Sequence, residues 1–231
     1  MEVAKGIDLI PGVRGANSYL IHSQNGAIIV DTGMPGNETK ILDYARTLGI
    51  EPSSITTIIL THPDIDHAGS VAKLKKLTNA KVAIHEADAP RLSGEKKMKE
   101  AKGALGLVFK VMGVFIKFNP VKPDVLLKDS DKIDGMTIIH TPGHTDGSIS
   151  VYLPGEALLV GDALRTTTSE SLKLPPATLD MEKAKESIKT ISELSYTCLL
   201  PGHGPPIKPN ASTKVKQFVD NQFQETRRSI N

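Results

Sequence analysis

Short apolar runs, separated by turn residues, dominate the first third of the chain and predict β-strands. The runs are rich in Ile, Val, Leu and Tyr, and Gly, Asn and Ser stand between them. They cover residues 6–10, 17–22, 26–31, 55–60 and 81–85. The stretches 36–48 and 70–77 are predicted to be helices. The first half therefore begins with strands and continues with helices.

The second half repeats this order. Asp134 and Gly135, between two apolar runs, predict a hairpin over residues 132–138, and residues 148–153 and 157–160 predict further strands. Apolar residues then recur at helical spacing over 181–194 and again from Ser212 onward. Strands followed by helices in each half predict an α/β fold, a four-layer αββα sandwich of two mixed β-sheets flanked by helices.

Residues 95–118 differ from the rest, because a helix here would be apolar on most of its circumference. Gly103, Gly106 and Gly113 lie on one narrow stripe, and apolar side chains fill the others. Two interpretations have equal weight: a helix packed on the core, or a substrate lid, dimer contact or membrane-surface element. Residues 88–125 are accordingly interpreted as a helical lid or insertion.

Length, composition and charge limit the class of protein. The chain has 231 residues, 39% hydrophobic and 23% charged, which is typical of one globular domain spanning residues 1–231. The net charge of +2 gives no reason to expect a nucleic-acid partner. A single cysteine, Cys198, suits a reducing compartment. Because neither a signal core nor a membrane span is evident, we expect a cytoplasmic protein.

Histidine and aspartate recur in turns that directly follow predicted strands. The densest group is His62, Asp64, Asp66 and His67, four candidate ligands within six residues after a buried strand. So short a loop cannot direct all four side chains at one point, but it can direct them at two neighbouring points, as a two-metal site requires. Imidazole and carboxylate together suit zinc, iron or manganese.

Three further turns each present one such side chain. His144 follows a Pro-Gly pair and His203 lies in a Pro-Gly-His-Gly turn. We therefore expect each of these histidines to lie on a rigid turn that fixes the direction of its side chain. Asp162, on a Gly-Asp turn after an apolar strand, could bridge two cations with its two oxygens. Arg165 could reach an anionic group of a substrate or form a surface salt bridge, and both interpretations have equal weight.

Taken in order, these motifs resemble the signature of the metallo-β-lactamase superfamily. The motifs are His62-x-Asp64-x-Asp66-His67, Gly143-His144-Thr145, Gly161-Asp162-Ala163 and Gly202-His203-Gly204, preceded by Asn17-Ser18-Tyr19-Leu20-Ile21 and Asp31-Thr32-Gly33. The resemblance runs from about Asn17 to about Pro206. It implies an αββα sandwich with metals at one edge.

The resemblance also implies a role for each candidate residue. One metal would be held by His62 and His144, and a second by Asp66, His67 and His203, with Asp162 between them and Asp31 orienting ligands through hydrogen bonds. The expected chemistry is hydrolysis, in which hydroxide formed from a metal-bridging water attacks a carbonyl or phosphoryl centre. Asp66 is expected to orient this hydroxide and to move protons.

Asp64 departs from the common pattern of the family, in which a second histidine occupies this position. An added carboxylate lowers the net charge of a two-metal site by one and weakens it as a Lewis acid. It also supplies an oxygen ligand to the first metal, and oxygen ligands favour manganese or iron. We therefore expect two divalent ions, with Asp64 among the candidate ligands, zinc favoured, and iron or manganese as alternatives.

These expectations favour a hydrolase of a small, partly apolar substrate such as an ester, thioester or lactone. The near-neutral charge and the lack of a large appended domain argue against a nuclease. Two alternatives stay open: a catalytically weak metal- or partner-binding protein of the same fold, and a di-iron redox protein. A homodimer is a further expectation, from the apolar segment 95–118.

Overall fold

A seven-stranded mixed sheet forms one half of the protein. The computed structural model describes residues 1–98, 118–169 and 171–228. Strands β1 to β7 lie in sequence order across this sheet: Glu2–Ala4, Ile7–Leu9, Tyr19–Ser23, Gly26–Val30, Ile55–Ile59, Lys81–His85 and Val125–Leu127. Strands β1 to β4 are antiparallel to their neighbours, whereas β4 to β7 run parallel to each other.

A second mixed sheet of five strands packs against the first. Its strands are β8 Lys132–Ile133, β9 Met136–His140, β10 Ile149–Leu153, β11 Ala157–Gly161 and β14 Cys198–Pro201, in the order β14-β11-β10-β9-β8. Strands β11 and β14 are parallel, and the other neighbours are antiparallel. A separate ribbon pairs β12 Arg165–Thr168 with β13 Ser171–Lys173.

Helices lie on the outer sides of the two sheets. The first sheet is accompanied by α1 Glu38–Thr47, α2 Ile65–Ala68, α3 Val71–Thr78 and α4 Ala89–Leu92, and the second by α5 Met181–Ser192 and α6 Ala211–Arg228. A 3-10 turn at Pro52–Ser54 precedes β5. Within the described ranges, none of the helices has the length and apolar character needed to cross a membrane.

Three apolar cores separate four layers of structure. On β4, Ile29 packs among residues of α1 and α3, whereas Ile28 and Val30 face the second sheet. On β11, Leu159 faces the first sheet and Leu158 packs with residues of α5 and α6. Successive strand residues point to opposite faces, so both of these strands are buried on both sides. The predicted αββα sandwich is confirmed.

The carboxyl ends of five strands meet at one edge of the sandwich. Strands β4 and β5 are parallel in the first sheet, as are β11 and β14 in the second. Strand β9 runs in the same direction as β11, because β10 lies between them and is antiparallel to both. Backbone bonds join the sheets: Ile149 N donates to Thr61 O at 3.0 Å, and Asn17 N donates to Gly202 O at 2.7 Å. Turns that follow these strands therefore converge.

Most predicted elements are present, and the differences concern short strands. Asp134 and Gly135 have positive φ angles of 46° and 82° in the hairpin between β8 and β9, as an Asp-Gly turn requires. The sequence pattern did not predict β1, β7 or the ribbon of β12 and β13. Strands of three or four residues are too short to show a period.

The apolar segment 95–118 lies mostly outside the described residues, which resume at 118. Its final residue, Phe118, packs partly buried against the core between the first sheet and its helices. A lid, a dimer contact and the insertion over residues 88–125 all stay predictions, as does the single domain over residues 1–231.

Two matched leucine substitutions test the assignment of the core between the sheets. Leu159 is 1% exposed, whereas Leu77 on α3 is 57% exposed. Leu159→Ala should lower the free energy of unfolding by about 2–5 kcal/mol, because it removes buried contacts and leaves a cavity. Leu77→Ala should change it by about 0.5 kcal/mol or less. Urea unfolding of both variants measures the difference, and equal losses would contradict the layer assignment.

Candidate metal centre

A buried carboxylate, Asp31, lies beneath the convergent turns. It is the first residue after β4 and has a left-handed backbone, with φ of 58°. Its Oδ1 accepts a hydrogen bond from Thr61 N at 2.8 Å, and its Oδ2 accepts from Thr61 Oγ1 at 2.7 Å and from His67 Nδ1 at 2.8 Å. A carboxylate only accepts, so His67 carries its proton on Nδ1 in these bonds. The other ring nitrogen, Nε2, faces the cluster.

Thr61 fixes a second imidazole in the same way. The Thr61 hydroxyl donates its hydrogen bond to Asp31, so its oxygen accepts a hydrogen bond from His62 Nδ1 at 3.1 Å. His62 Nε2 is therefore an unprotonated nitrogen, and its side chain is almost fully buried. Two imidazoles thus present ring nitrogens of defined protonation to the edge of the sandwich, as metal ligands do.

The loop between His62 and His67 is held by its own backbone. The carbonyl of Asp64 accepts from His67 N at 2.9 Å and from Ala68 N at 2.8 Å, which forms the single turn α2. Thr32 N donates to His67 O at 2.6 Å and ties this turn to the residue after Asp31. The side chains of this loop therefore face two different points, His62 and Asp64 one of them, and Asp66 and His67 the other.

The first point is formed by His62, Asp64 and His144. Asp64 Oδ2 lies 3.2 Å from His144 Nε2 and 3.5 Å from His62 Nε2. The ligand atoms of all three residues lie within 4.8 Å of one another. Because the two histidines are buried and Asp64 is 18% exposed, only the carboxylate reaches solvent. This trio, the His144 cluster, is one group that could hold a metal ion.

The second point is formed by Asp66, His67 and His203. His203 Nε2 lies 3.3 Å from Asp66 Oδ2 and 3.3 Å from His67 Nε2. Their ligand atoms also lie within 4.8 Å of one another. Asp66 and His203 are 35% and 26% exposed, so this trio, the His203 cluster, is the more open of the two.

Asp162 lies between the two clusters. Its Oδ2 is 3.5 Å from His144 Nε2, and its Oδ1 is 3.3 Å from His67 Nε2 and 3.5 Å from His203 Nε2. The two oxygens of one buried carboxylate thus face ligands of different clusters. Gly202 makes this packing feasible, because a Cβ there would lie 2.6 Å from His67 Cε1 and 2.7 Å from Asp162 Oδ1.

The polar atoms of the site suit divalent cations. His62 Nε2 and Asp162 Oδ1 are buried and have no hydrogen-bond partner among the described residues. His67 Nε2 and His203 Nε2 face each other at 3.3 Å, an arrangement that a hydrogen bond satisfies only if one of them is protonated. Buried polar atoms without partners are costly. Ring nitrogens and carboxylate oxygens at these spacings are the donors that transition metals bind.

Burial and charge shift the pKa values of the site in opposite directions. Burial and the neighbouring His67 lower the pKa of His62 to about 4. Burial also acts to lower the pKa of His67, but Asp31 and Asp162 outweigh it and raise that pKa well above its usual value. For Asp162, burial is outweighed by the histidines, chiefly His67, and its pKa falls well below the usual range. The site therefore concentrates negative charge that a cation can neutralise.

Comparison with known proteins agrees with this geometry. The family profile described as the metallo-beta-lactamase superfamily matches residues 11–203, most of the chain. The chain belongs to the metallo-beta-lactamase superfamily. It is 31% identical over 229 residues to the probable metallo-hydrolase YflN of Bacillus subtilis (strain 168), covering 89% of this chain and 86% of the relative.

Three further proteins extend the comparison. The N-acyl homoserine lactonase AiiA of Bacillus thuringiensis subsp. kurstaki is 26% identical over 208 residues, covering 76% of this chain and 74% of its own. A β-lactamase structure from Chitinophaga pinensis has a TM-score of 0.70 at 25% identity, with 99% of this chain and 92% of that chain covered. A mutant of the metallo-β-lactamase FEZ-1 from Legionella gormanii has a TM-score of 0.73 at 20% identity, covering 99% and 95%, and shows the fold alone.

The structure brings most of the predicted site residues together. The seven candidate ligands are His62, Asp64, Asp66, His67, His144, Asp162 and His203. Arg165 is different: it opens β12 opposite Lys173, and its Nε is buried without a hydrogen-bond partner among the described residues. No ion pair of Arg165 is found in the described part of the chain, so its role in substrate binding stays a prediction. Thr61 was not among the residues predicted for the site. The one feature of the sequence that marks it is its position directly before His62.

Three other histidines stand outside the two clusters. His22 Nε2 lies 3.1 Å from Asp8 Oδ2. The rings of His85 and His140 stack with centroids 4.0 Å apart and an interplanar angle of 9°. His140 Nε2 donates to the carbonyl of Asp146 at 3.0 Å. Each of these rings makes a structural contact of its own.

Two aspartates with positive φ provide a matched test of the buried network. Asp31→Ala removes the acceptor of three buried hydrogen bonds, whereas Asp134→Ala removes exposed bonds to Ser23 and Asn25. Both variants place alanine in a left-handed conformation. Asp31→Ala should lower the free energy of unfolding by at least about 2 kcal/mol more than Asp134→Ala, because it leaves buried donors unpaired. Urea unfolding in a chelating buffer measures this difference, and equal losses would disprove the role given to Asp31.

Proposed function

We propose that this protein is a metal-dependent hydrolase that acts on a small ester, thioester or lactone. The observation that carries the proposal is the placement of Asp162, whose two oxygens face two neighbouring clusters of metal-binding side chains and which itself groups with one histidine of each, His62 and His67. Two-metal hydrolases need two adjacent ligand sets with a shared carboxylate or oxygen between them.

The chain's own residues define which atoms would hold each ion. His62, Asp64 and His144 would bind one through Nε2 atoms and a carboxylate oxygen, and Asp66, His67 and His203 would bind the other. Divalent cations in such a site supply Lewis acidity, which makes a water molecule acidic near neutral pH and polarises the oxygen under attack. Zinc is favoured by the four imidazoles, and iron or manganese are the alternatives.

Asp66 is the group that we assign to orient the attacking water and to accept its proton. At 35% exposure it is the most open carboxylate in the two clusters. Burial acts to raise its pKa, but the hydrogen bond to His203 and the charge of His67 lower it to about 2. It is therefore ionised at neutral pH and able to accept a proton at a carboxylate oxygen.

The substrate class rests on two further observations. The exposed side of the site is formed by Asp66 and His203, so a substrate carbonyl approaches over the His203 cluster. The relatives that this chain resembles include N-acyl homoserine lactonases, which supports a lactone or a related carboxylic ester. A partly apolar substrate, a homodimer and a cytoplasmic location are not tested by these observations and stay predictions.

A second candidate follows from the carboxylates. Asp64, Asp66 and Asp162 give the two clusters three carboxylates in addition to the histidines. Carboxylate-rich sites favour iron over zinc, so a di-iron redox protein is the alternative. A binding protein of this fold with weak activity is a further alternative. Two measurements distinguish the hydrolase, the di-iron redox protein and the binding protein: the identity of the bound metal and an assay for hydrolysis.

Metal content tests the ligand assignment directly. Protein purified without chelator should contain up to two transition-metal ions per chain, and His67→Ala should lose the ion of the His203 cluster, because one of three ligands is removed. His85→Ala is the matched control, since His85 packs against His140 outside the clusters. Elemental analysis measures both. Full metal content in the His67 variant would refute the assignment.

The same preparations test the proposed activity. Aryl esters, a thioester and N-acyl lactones of increasing chain length are offered to wild type, with and without prior removal of metal. Hydrolysis that disappears on chelation and returns with added metal supports the proposal. Full metal content without hydrolysis of any substrate would favour the binding protein, and iron with redox turnover would favour the di-iron alternative.

Asp64→His tests how the unusual carboxylate tunes the site. Histidine supplies nitrogen in place of oxygen, so metal preference should shift toward zinc. The variant site also carries one negative charge fewer, so the apparent pKa of the acid limb of kcat/KM should fall, because a more positive site favours loss of a proton from water. Competitive metal titration and a pH–rate profile measure both. If neither changes, Asp64 is not a ligand.

A further inference from the structure

We infer that Asp88, at the start of α4, is a positioning residue that holds the turn carrying His144 and thereby sets the metal affinity of the His144 cluster. The inference rests on the proposed function, because it assigns a role within that same site. It is carried by a network that links Asp88, directly or through one further residue, to all four residues that follow His144.

The first link is a hydrogen bond from the residue directly after the ligand. Asp88 is fully buried, and its Oδ2 accepts from Thr145 Oγ1 at 2.5 Å. Ser148 completes this contact, because its hydroxyl lies 2.7 Å from Thr145 Oγ1 and accepts from Thr145 N at 3.0 Å. Both the side chain and the backbone of Thr145 are therefore fixed, and the imidazole that precedes it has little freedom of direction.

The second link is close packing of Asp88 against the turn. A Cβ at Gly147 would lie 2.8 Å from Asp88 N and 2.8 Å from Asp88 Cγ. Such distances are shorter than any normal van der Waals contact, so the turn approaches Asp88 as closely as a glycine permits. The carboxylate cannot shift without moving the turn.

The third link is an ion-pair bridge through Arg91. Its Nη2 donates to Asp146 Oδ2 at 2.8 Å, and its Nε lies 3.6 Å from Asp88 Oδ1. Arg91 is 8% exposed, so its charge is largely withdrawn from water. Burial raises the pKa of Asp88, while Thr145 and Arg91 act in the opposite direction and favour the ionised form. Without the Asp88 charge, the half-exposed Asp146 would be the one carboxylate paired with Arg91 among the described residues, beside the hydrogen bond from Arg91 to Lys97 O.

The network acts on one side of the site only. The His203 turn is held separately: Tyr19 Oη donates to Pro201 O at 2.8 Å, and Asn17 Nδ2 donates to Pro201 O at 2.9 Å and to Gly204 O at 2.8 Å. Removal of a partner that orients a metal ligand typically lowers metal affinity by about 10- to 100-fold. A change at Asp88 should therefore weaken the His144 cluster and spare the other.

The test isolates each cluster before changing Asp88. A His203→Ala background keeps the His144 cluster and disrupts the His203 cluster, and a His144→Ala background does the reverse; the group of His62, His67 and Asp162 is present in both, so a difference between the backgrounds reports the two clusters. Asp88→Asn, which keeps the shape and removes the charge, is introduced into both. The affinity for Zn²⁺ is measured by competition with a chromophoric chelator, together with thermal unfolding of the metal-free proteins. Tyr19→Phe is the matched control for the opposite turn.

We expect Asp88→Asn to weaken Zn²⁺ binding about 10- to 100-fold in the His203→Ala background and by no more than about twofold in the His144→Ala background. Tyr19→Phe should show the reverse selectivity. Thr145→Val removes the hydroxyl donor without changing charge and should repeat the Asp88 pattern, which keeps the test decisive if Asp88→Asn does not fold.

Equal effects of Asp88→Asn in both backgrounds, or none in either, would overturn the positioning role while leaving the proposed function intact. Wild-type protein that binds neither Zn²⁺ nor iron or manganese would overturn both. A loss of thermal stability without a change in affinity would reduce Asp88 to a packing residue and would also overturn the inference.

Discussion

Asp31 places a buried carboxylate where two parallel strands of the first sheet end, and its hydrogen bonds hold Thr61 and His67 beside it. Through Thr61 it fixes the end of β5 and the protonation of His62. Thr61 also accepts a backbone hydrogen bond from Ile149 in the second sheet, and its side chain packs against Gly161. Through His67 the same carboxylate orients a second imidazole. One buried carboxylate thus orients two of the imidazoles in the clusters, His67 directly and His62 through Thr61.

Charge balance gives the centre its chemical character. The carboxylates of Asp64, Asp66 and Asp162 converge with the ring nitrogens of the clusters. Without a cation, burial acts to lower the pKa of His67, but the neighbouring carboxylates of Asp31 and Asp162 raise it, which favours the protonated imidazole as the compensating charge. Divalent cations in the same place would release that proton and satisfy the unpaired atoms, so metal binding and deprotonation of the histidines are coupled.

The ligand-bearing turns are held by separate sets of contacts. Asn17 and Tyr19 from the first sheet fasten the His203 turn, and Asp88 with Arg91 fastens the His144 turn. Such outer contacts restrict the orientation of a ligand, and in metal sites generally their loss lowers metal affinity. Arg91 also donates to the carbonyl of Lys97, so the network reaches the chain that leads into the apolar segment.

Local sequence alone determined the long strands and helices, the Asp-Gly hairpin and the candidate ligands, because these depend on residues close together in the chain. Hydrophobic period, turn chemistry and the motif from His62 to His67 all act over a few residues. Only the tertiary structure decided which ligands share a cluster, that Asp162 divides its oxygens between them, and that Arg165 begins a separate ribbon. It also revealed Asp88, which meets Thr145 across 57 positions of sequence. Contacts of that kind arise from the packing of whole sheets and helices, and no local pattern encodes them.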